Sequence, residues 1–191
     1  MPEPPAAEAS GASGTVIRLA SRADAEAIAR VSASAWAATY PGIVPDPVLE
    51  EWISRAPASW HESLERVDGE PEARVWLAER GGIVIGYATT APGKDWWLPP
   101  PEGAGELTNL YLDPAEIGTG LGSRLYDHAV ADLRGRGFTP FVVWAFRDNL
   151  RAVRFYESKG LAIDVPDHDW VLGDVPCKIV RLRVDWPATS R

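Results

Sequence analysis

Three glycines, Gly118, Gly120 and Gly122, alternate with other residues between an apolar segment and a helical pattern. The segment before them, Leu110 to Leu112, is typical of a strand, and the apolar positions after them recur every four residues: Leu121, Leu125, Ala129 and Leu133. Glycine lets backbone approach a ligand closely, and the first N–H groups of a helix have no partner within it. The spacing therefore predicts a strand, a glycine turn and a helix N-terminus that binds a phosphate or pyrophosphate.

Two common nucleotide-binding loops match this turn poorly. A P-loop ends in Gly-Lys-Ser/Thr, and Gly122-Ser123 lacks the lysine. A dinucleotide fingerprint has glycine or alanine where Ser123 stands, and its first glycine follows the strand directly, whereas Asp113 to Ile117 intervene here. The alternative without a ligand is that the glycines only let the chain turn, which their alternate positions before a regular helix argue against.

A pair of polar residues lies downstream of the glycines, where Tyr156 follows Asn149 by seven positions. Seven positions are about two turns of a helix, so a helix over this stretch puts both side chains on one face. The alternative for Tyr156 is an aromatic ring that only packs on the sheet.

Together these stretches resemble the GCN5-related N-acetyltransferases, the GNAT family. The signature of that family is Arg or Gln, two residues, Gly, one residue, then Gly or Ala, after a strand similar to Leu110-Tyr111-Leu112-Asp113-Pro114. Gly120 and Gly122 match, whereas Ile117 stands at the Arg/Gln position, which removes one polar side chain and leaves the backbone donors. The stretch from Asp148 to Leu161 resembles a second block of the same family, and as a pattern of elements the resemblance spans Val16 to Val184.

The resemblance implies acetyl-CoA as co-substrate, with no metal. The pyrophosphate would accept hydrogen bonds from the glycine turn, and the pantetheine arm would bond the backbone of the preceding strand. The cofactor-binding residues implied in this way are Leu110, Tyr111, Leu112, Ile117, Gly118, Thr119, Gly120, Leu121, Gly122, Ser123, Asn149 and Tyr156.

Acetyl transfer to an amine needs one group that takes a proton from the nucleophile and one that protonates the departing thiolate. The resemblance assigns the second task to Tyr156, since a phenol is a neutral donor at neutral pH. For the first task we expect Glu106, at the start of the strand that leads into the glycine turn, with His168 or a water chain as the other candidates. The alternative for Glu106 is a merely solvated strand end. The family's acceptor site implies three substrate-binding residues, with core packing as the alternative for the first: Trp36, Tyr40 and Ile43.

These groups need a framework of strands and helices. Patterning predicts a strand at 15–20, a helix from Ser21 to about Thr39, a helix that opens at Asp46-Pro47, and a further short helix that carries Trp60. Strands at 73–80 and 83–91 follow, joined as an antiparallel hairpin by Gly81-Gly82.

The second half of the chain alternates strands and helices. It predicts strand four at 105–112, helix three to about 134, a buried strand five at 138–146, a helix at 149–159, and strands at 161–165 and 177–184 around an acidic loop. The loop at 92–104, with Trp96 and Trp97, either covers a substrate or partner or folds back over the core. The fold class is α/β, a GNAT-like mixed and mostly antiparallel sheet, with flanking helices and a splayed parallel pair of strands four and five.

Composition limits the partners of the chain. Its 191 residues, 46% of them hydrophobic, suit one domain, which we place at 15–186 between a disordered tail at 1–14 and a short tail at 187–191. A formal net charge of -8 argues against nucleic acid and anionic membranes as partners and favours a cationic acceptor.

The single Cys177 cannot form an internal disulfide and no apolar run is long enough to span a membrane, so the cytoplasm is the simplest location. The oligomeric state stays open, a homodimer included.

The function implied by the resemblance is transfer of an acetyl group from acetyl-CoA to a primary amine of a small molecule or a protein terminus, by direct attack. The alternative is a catalytically inactive CoA-binding or sensing module of the same fold. Ile117 favours the inactive module, whereas Asn149 and Tyr156 favour the enzyme.

Overall fold

A computed structural model describes residues 14–70 and 72–186 of the chain. The predicted tails at 1–14 and 187–191 therefore lie outside the described residues, apart from Gly14. The strands are β1 (Val16–Leu19), β2 (Arg74–Arg80), β3 (Ile83–Pro92), β4 (Gly105–Leu112), β5 (Phe141–Phe146), β6 (Ala162–Leu172) and β7 (Val175–Val184). The helices are α1 (Ala25–Thr39), α2 (Asp46–Gly69), α3 (Leu121–Gly135) and α4 (Leu150–Ser158).

The seven strands form one sheet in the order β1-β2-β3-β4-β5-β7-β6. Neighbouring strands are antiparallel except β4 and β5, which are parallel and joined through α3. This confirms the predicted mixed, mostly antiparallel sheet with a parallel pair of strands four and five.

The helices cover both faces of the sheet. The predicted apolar positions of α3 are all buried, and they pack with Val153 and Tyr156 of α4 in one core cluster. On the opposite face, α1 and α2 bury Ile28, Trp60 and Leu64 against Leu77 and Tyr87 of the sheet. Inside that layer Ser32 Oγ donates to the Tyr87 hydroxyl at 2.8 Å and accepts from Trp60 Nε1 at 2.8 Å, which satisfies these buried polar groups. The described helices include none with the length and apolar character that crossing a membrane requires.

The two helices predicted after Asp46 are a single helix, α2, which continues through Pro57. The prediction of a separate short helix was wrong, because apolar residues continue at helical spacing before and after Pro57. Leu49, Ala56, Trp60 and Leu64 are all buried along this stripe. Packing of this stripe offsets the backbone hydrogen bond that a proline inside a helix removes.

The acidic loop predicted between the last two strands is instead part of a long hairpin, because β6 and β7 pair from Ala162–Arg183 to Leu172–Val175. The carboxylates pair with cations along this hairpin, Asp164 with Arg181 at 2.8 Å and Asp169 with Lys178 at 2.9 Å. Strand five is also shorter than predicted, since it begins at Phe141 after Pro140, which has no N–H to donate to a sheet.

Candidate active site

A cleft of about 430 Å³ opens where β4 and β5 separate. The two strands pair only at Gly105–Phe141, Glu106–Val142 and Leu107–Val143. The register of β4 against β3 shifts at the same level, so Thr108 has no register partner in β3, although its Oγ1 donates to the Thr89 carbonyl at 3.3 Å. A bulge of this kind bends a strand. Beyond the bulge, Thr108 to Leu112 forms one wall of the cleft and Val143 to Phe146 forms the other.

The glycine turn closes one end of this cleft. Gly118 and Gly120 have φ values of 84° and 86°, which L side chains rarely adopt, and Gly120 is the N-cap of α3. Within the described chain, no acceptor bonds the backbone N–H groups of Gly118, Gly120, Gly122 and Ser123. These free donors at a helix N-terminus fit an anion such as a pyrophosphate.

Of the twelve residues that the resemblance assigns to the cofactor, two do not line the cleft. The Thr119 hydroxyl donates to the Glu116 carbonyl at 2.8 Å, and Leu121 is buried in the core. The other ten line it, including Leu110 to Leu112, whose strand bonds β3 on one side and has no partner on the other beyond Leu107. That open edge offers backbone donors and acceptors to the amides of a pantetheine arm.

Asn149 and Tyr156 both line the cleft from α4. Asn149 is the N-cap of the helix, and its Oδ1 accepts from the Ala152 N–H at 3.2 Å. Tyr156 is 7% exposed, and within the described residues its hydroxyl makes no hydrogen bond. Burial, with the nearby Tyr111 and Tyr126, raises the pKa of Tyr156 well above its ordinary value, so the phenol stays a neutral donor.

Glu106 is buried just below the level at which the strands separate, and it is not among the lining residues. Its carboxylate accepts from Trp96 Nε1 at 3.1 Å and from the Lys94 N–H at 3.3 Å. Burial raises the pKa of Glu106 to about 7, although these two donors and the charges of Lys94 and Arg181 act in the opposite direction. A carboxyl with this pKa changes protonation state near neutral pH.

The predicted acceptor residues are only partly brought to the cleft. Tyr40 lines it, and its hydroxyl lies 2.6 Å from that of Tyr111. Trp36 packs edge-on against Trp52 and Tyr111 behind the lining, and Ile43 packs in the same apolar cluster. The second base candidate, His168, also lies off the lining, on β6 with its ring centroid 6.1 Å from that of Trp144.

Sequence reasoning missed several lining residues, most of them on β5 and on the first turn of α4. The sequence predicts that Trp144 and Phe146 belong to a strand buried on both faces, yet both line the cleft where β5 separates from β4. The sequence feature that could have indicated them is the spacing of two positions between large aromatic residues at the end of the strand. The 92–104 loop folds back over this region, since Trp97 packs on Trp144 at 5.1 Å and Trp96 bonds Glu106.

The model of the Acetyltransferase (GNAT) family matches residues 35–161, more than half of the chain. The chain belongs to the GNAT family. The matched residues include both walls of the cleft, the glycine turn and α4.

Relatives of this GNAT protein occur among curated sequences. Over 111 residues it is 38% identical to a mycothiol acetyltransferase of Thermobispora bispora, a match that covers 53% of this chain and 36% of that protein. The chain thus spans about a third of the length of that relative. An uncharacterized N-acetyltransferase of Mycobacterium tuberculosis is 29% identical over 147 residues, with 74% of this chain and 85% of that protein covered.

Solved structures share the GNAT fold of this chain. The PaiA N-acetyltransferase of Thermoplasma acidophilum, solved in complex with coenzyme A, matches with a TM-score of 0.69 and 21% identity, covering 88% of this chain and 98% of that one. The Salmonella typhimurium protein YncA, solved with its cofactor acetyl-CoA, matches with a TM-score of 0.67 and 20% identity, covering 94% and 98%.

Proposed function

We propose that this GNAT protein transfers the acetyl group of acetyl-CoA to a primary amine of a small molecule or a protein terminus. One observation carries the proposal: a single cleft is lined by free N–H donors of the glycine turn at one end and by the Tyr156 side chain. The CoA pyrophosphate fits the donors at Gly118 to Ser123, and the pantetheine amides fit the open edge of Leu110 to Leu112. Acetyl-CoA supplies the activated acyl group as a thioester.

The chain's own residues then manage two protons. As the amine nitrogen attacks the thioester carbonyl, the C–N bond forms and the C–S bond breaks. The thiolate takes a proton from the Tyr156 hydroxyl, and the nitrogen loses a proton through water to Glu106. Return of that proton to Tyr156 through solvent completes a balanced cycle. The apolar surroundings that raise the pKa of Tyr156 also raise the basicity of a buried thiolate, which keeps this transfer feasible.

Thiol release across a panel of amines tests the proposed function. Acetyl-CoA-dependent release that requires an amine supports the enzyme. Tight CoA binding by calorimetry without turnover of any amine would instead assign the chain to the inactive binding or sensing module.

Glu106→Gln should lower kcat/KM by about 100-fold and remove its pH dependence near neutrality, because a base must be ionised to act. In the wild type, kcat/KM should rise as the pH increases through about 7, where Glu106 ionises. The measurement is a pH profile of kcat/KM with one amine. Glu70→Gln is the matched control: Glu70 binds Lys94 Nζ at 3.1 Å and so contacts the same loop without supplying a base. Equal losses in both variants would show that the loop contact matters and not the base.

The raised pKa of Glu106 also predicts a pH dependence of stability. Its ordinary value is 4.5 and its value in the fold is about 7, so the unfolded chain ionises first as the pH rises. The contribution of Glu106 to folding is therefore greatest below pH 4.5, and about 3 kcal/mol of it is lost as the pH rises through about 7. Glu106→Gln should consequently gain stability relative to wild type between pH 5 and pH 8, measured by urea unfolding at both values. A constant difference between the two proteins would contradict the shifted pKa.

A further inference from the structure

Charge is almost absent from the lining of the cleft. Among the described residues that line it, Arg151 is the one Lys, Arg, Asp, Glu or His, and its guanidinium donates to Thr39 Oγ1 at 3.1 Å. Glu106, the nearby carboxylate, lies off the lining and accepts from Trp96 and the Lys94 N–H. An acceptor that carries charged or densely polar groups besides its reacting amine would lose their hydration here and find few partners in return.

Aromatic rings form part of the lining of the cleft. Tyr40, Tyr111, Trp144 and Phe146 line it, and we call these four the aromatic wall. Tyr40 packs edge to face on two of the others, with centroids 5.2 Å apart for Tyr40 and Phe146 and 6.4 Å apart for Tyr40 and Tyr111. Such a wall binds flat apolar groups through ring contacts and burial of apolar area.

A second row of rings supports the aromatic wall from behind. Trp170 stacks on Phe146 with centroids 5.4 Å apart and planes inclined by 11°, and Trp97 packs on Trp144 at 5.1 Å. Trp52 stacks on Trp170 at 5.6 Å. Because each wall ring has a ring neighbour, the wall is held in shape before an acceptor binds, which reduces the entropy lost on binding.

Charged side chains next to the aromatic wall form ion pairs with one another. On β6, β7 and the adjoining loop, Arg181 pairs with Asp164 at 2.8 Å and Arg147 pairs with Asp167 at 3.0 Å. Arg181 also lies over the Trp144 ring, 5.6 Å from its centroid. These ion pairs neutralise one another, so they do not single out a charged acceptor at the aromatic wall.

We infer that the acceptor is a primary amine on an aromatic or similarly apolar body, such as a 2-arylethylamine, whose ring packs on the aromatic wall. The inference rests on the proposed function, because it specifies the body of the amine that attacks the thioester. It keeps the cationic amine expected from the net charge and adds an aromatic body to it, since the excess of acidic residues does not reach the described lining, whereas four aromatic side chains do.

The test compares kcat/KM for phenethylamine, glucosamine and putrescine with acetyl-CoA held constant. We expect phenethylamine to exceed both polar amines by about tenfold or more, through a lower KM. Trp144→Ala should lower kcat/KM for phenethylamine by about tenfold, and Trp144→Phe, which keeps a ring, should retain most of it. Trp76→Phe is the control, because Trp76 packs on His128 at the opposite face of the sheet and does not line the cleft.

Calorimetry gives a second measurement that is independent of turnover. Phenethylamine should bind the CoA-loaded protein, and more weakly when Trp144 is replaced by alanine. Turnover of glucosamine or putrescine in preference to phenethylamine would overturn the inference and leave the proposed function standing. Tight CoA binding without turnover of any amine would overturn the proposed function and the inference together. If Trp144→Ala does not fold, Trp144→Leu tests the same contact without a ring.

Discussion

Gly120→Val should abolish acetyl-CoA binding and leave a folded protein. Gly120 has a φ of 86°, at which a β-branched residue is strained, so the turn would have to change shape. The N–H groups that we assign to the pyrophosphate would then no longer converge. Hydrogen bonds to a charged group contribute about 1.5–3 kcal/mol each, so the loss of two of them should weaken binding by about 100-fold or more.

The fold should survive because, apart from the glycine and its chain neighbours, no heavy atom of the described residues lies within 4 Å of the position that a Cβ on Gly120 would take. Gly137→Val is the matched control: Gly137 has a φ of 91°, equally open surroundings, and a position beyond the far end of α3. Both variants should lose about 1–2 kcal/mol of stability from backbone strain. Isothermal titration with acetyl-CoA should show normal affinity for Gly137→Val and none measurable for Gly120→Val. Near-normal affinity for the latter would remove the glycine turn as the phosphate site.

The framework around the glycine turn could be predicted because local chemistry determines it. Alternating glycines weaken both a strand and a helix and so favour a turn between the two. The stripe from Leu121 to Leu133 specifies which face of α3 is buried. A strand, a helix and a second apolar strand then leave few topologies besides a parallel pair. The observed pairing of β4 with β5 agrees with that step.

The hairpin of β6 and β7 could not be predicted in the same way. Its exposed positions include Asp164, Asp167 and Asp169, and such a run of charged residues is typical of a solvated loop. Their partners Arg181, Arg147 and Lys178 are distant in sequence, and only the pairing of the strands brings them together.

Half of the aromatic wall was also beyond sequence reasoning, because Tyr40 and Tyr111 were predicted at the site but Trp144 and Phe146 were not. It takes rings from the end of α1, from β4 and from β5, and its supporting row comes from α2, the 92–104 loop and β6. The apolar pattern of any one of these segments does not indicate which other segments it contacts. β4 separates from β5 at the level of the bulge at Thr108, and beyond that level Trp144 and Phe146 line the cleft. A bulge of one residue leaves no distinct signal in composition or periodicity.

Tyr156→Phe should lower the rate of the chemical step by about 10²–10⁴ and leave acetyl-CoA affinity unchanged. The substitution keeps the ring, which is 7% exposed and packs within 6.2 Å of the Tyr126 ring, and removes only the hydroxyl. Within the described residues that hydroxyl makes no hydrogen bond, so its loss leaves no protein group unpaired and should not affect stability. Affinity should persist because the contacts that we assign to the cofactor's phosphates and amides are backbone ones.

Tyr126→Phe distinguishes a catalytic hydroxyl from a merely buried one. Tyr126 is 4% exposed, adjoins Tyr156, and shares its raised pKa, but it does not line the cleft. Single-turnover measurements at saturating acetyl-CoA should therefore show a large loss for Tyr156→Phe and a wild-type rate for Tyr126→Phe. A loss of only about tenfold, or about 1.4 kcal/mol, would mean that an ordered water protonates the thiolate nearly as well. An unchanged single-turnover rate for Tyr156→Phe would show that the phenol is structural and that another group must donate the proton.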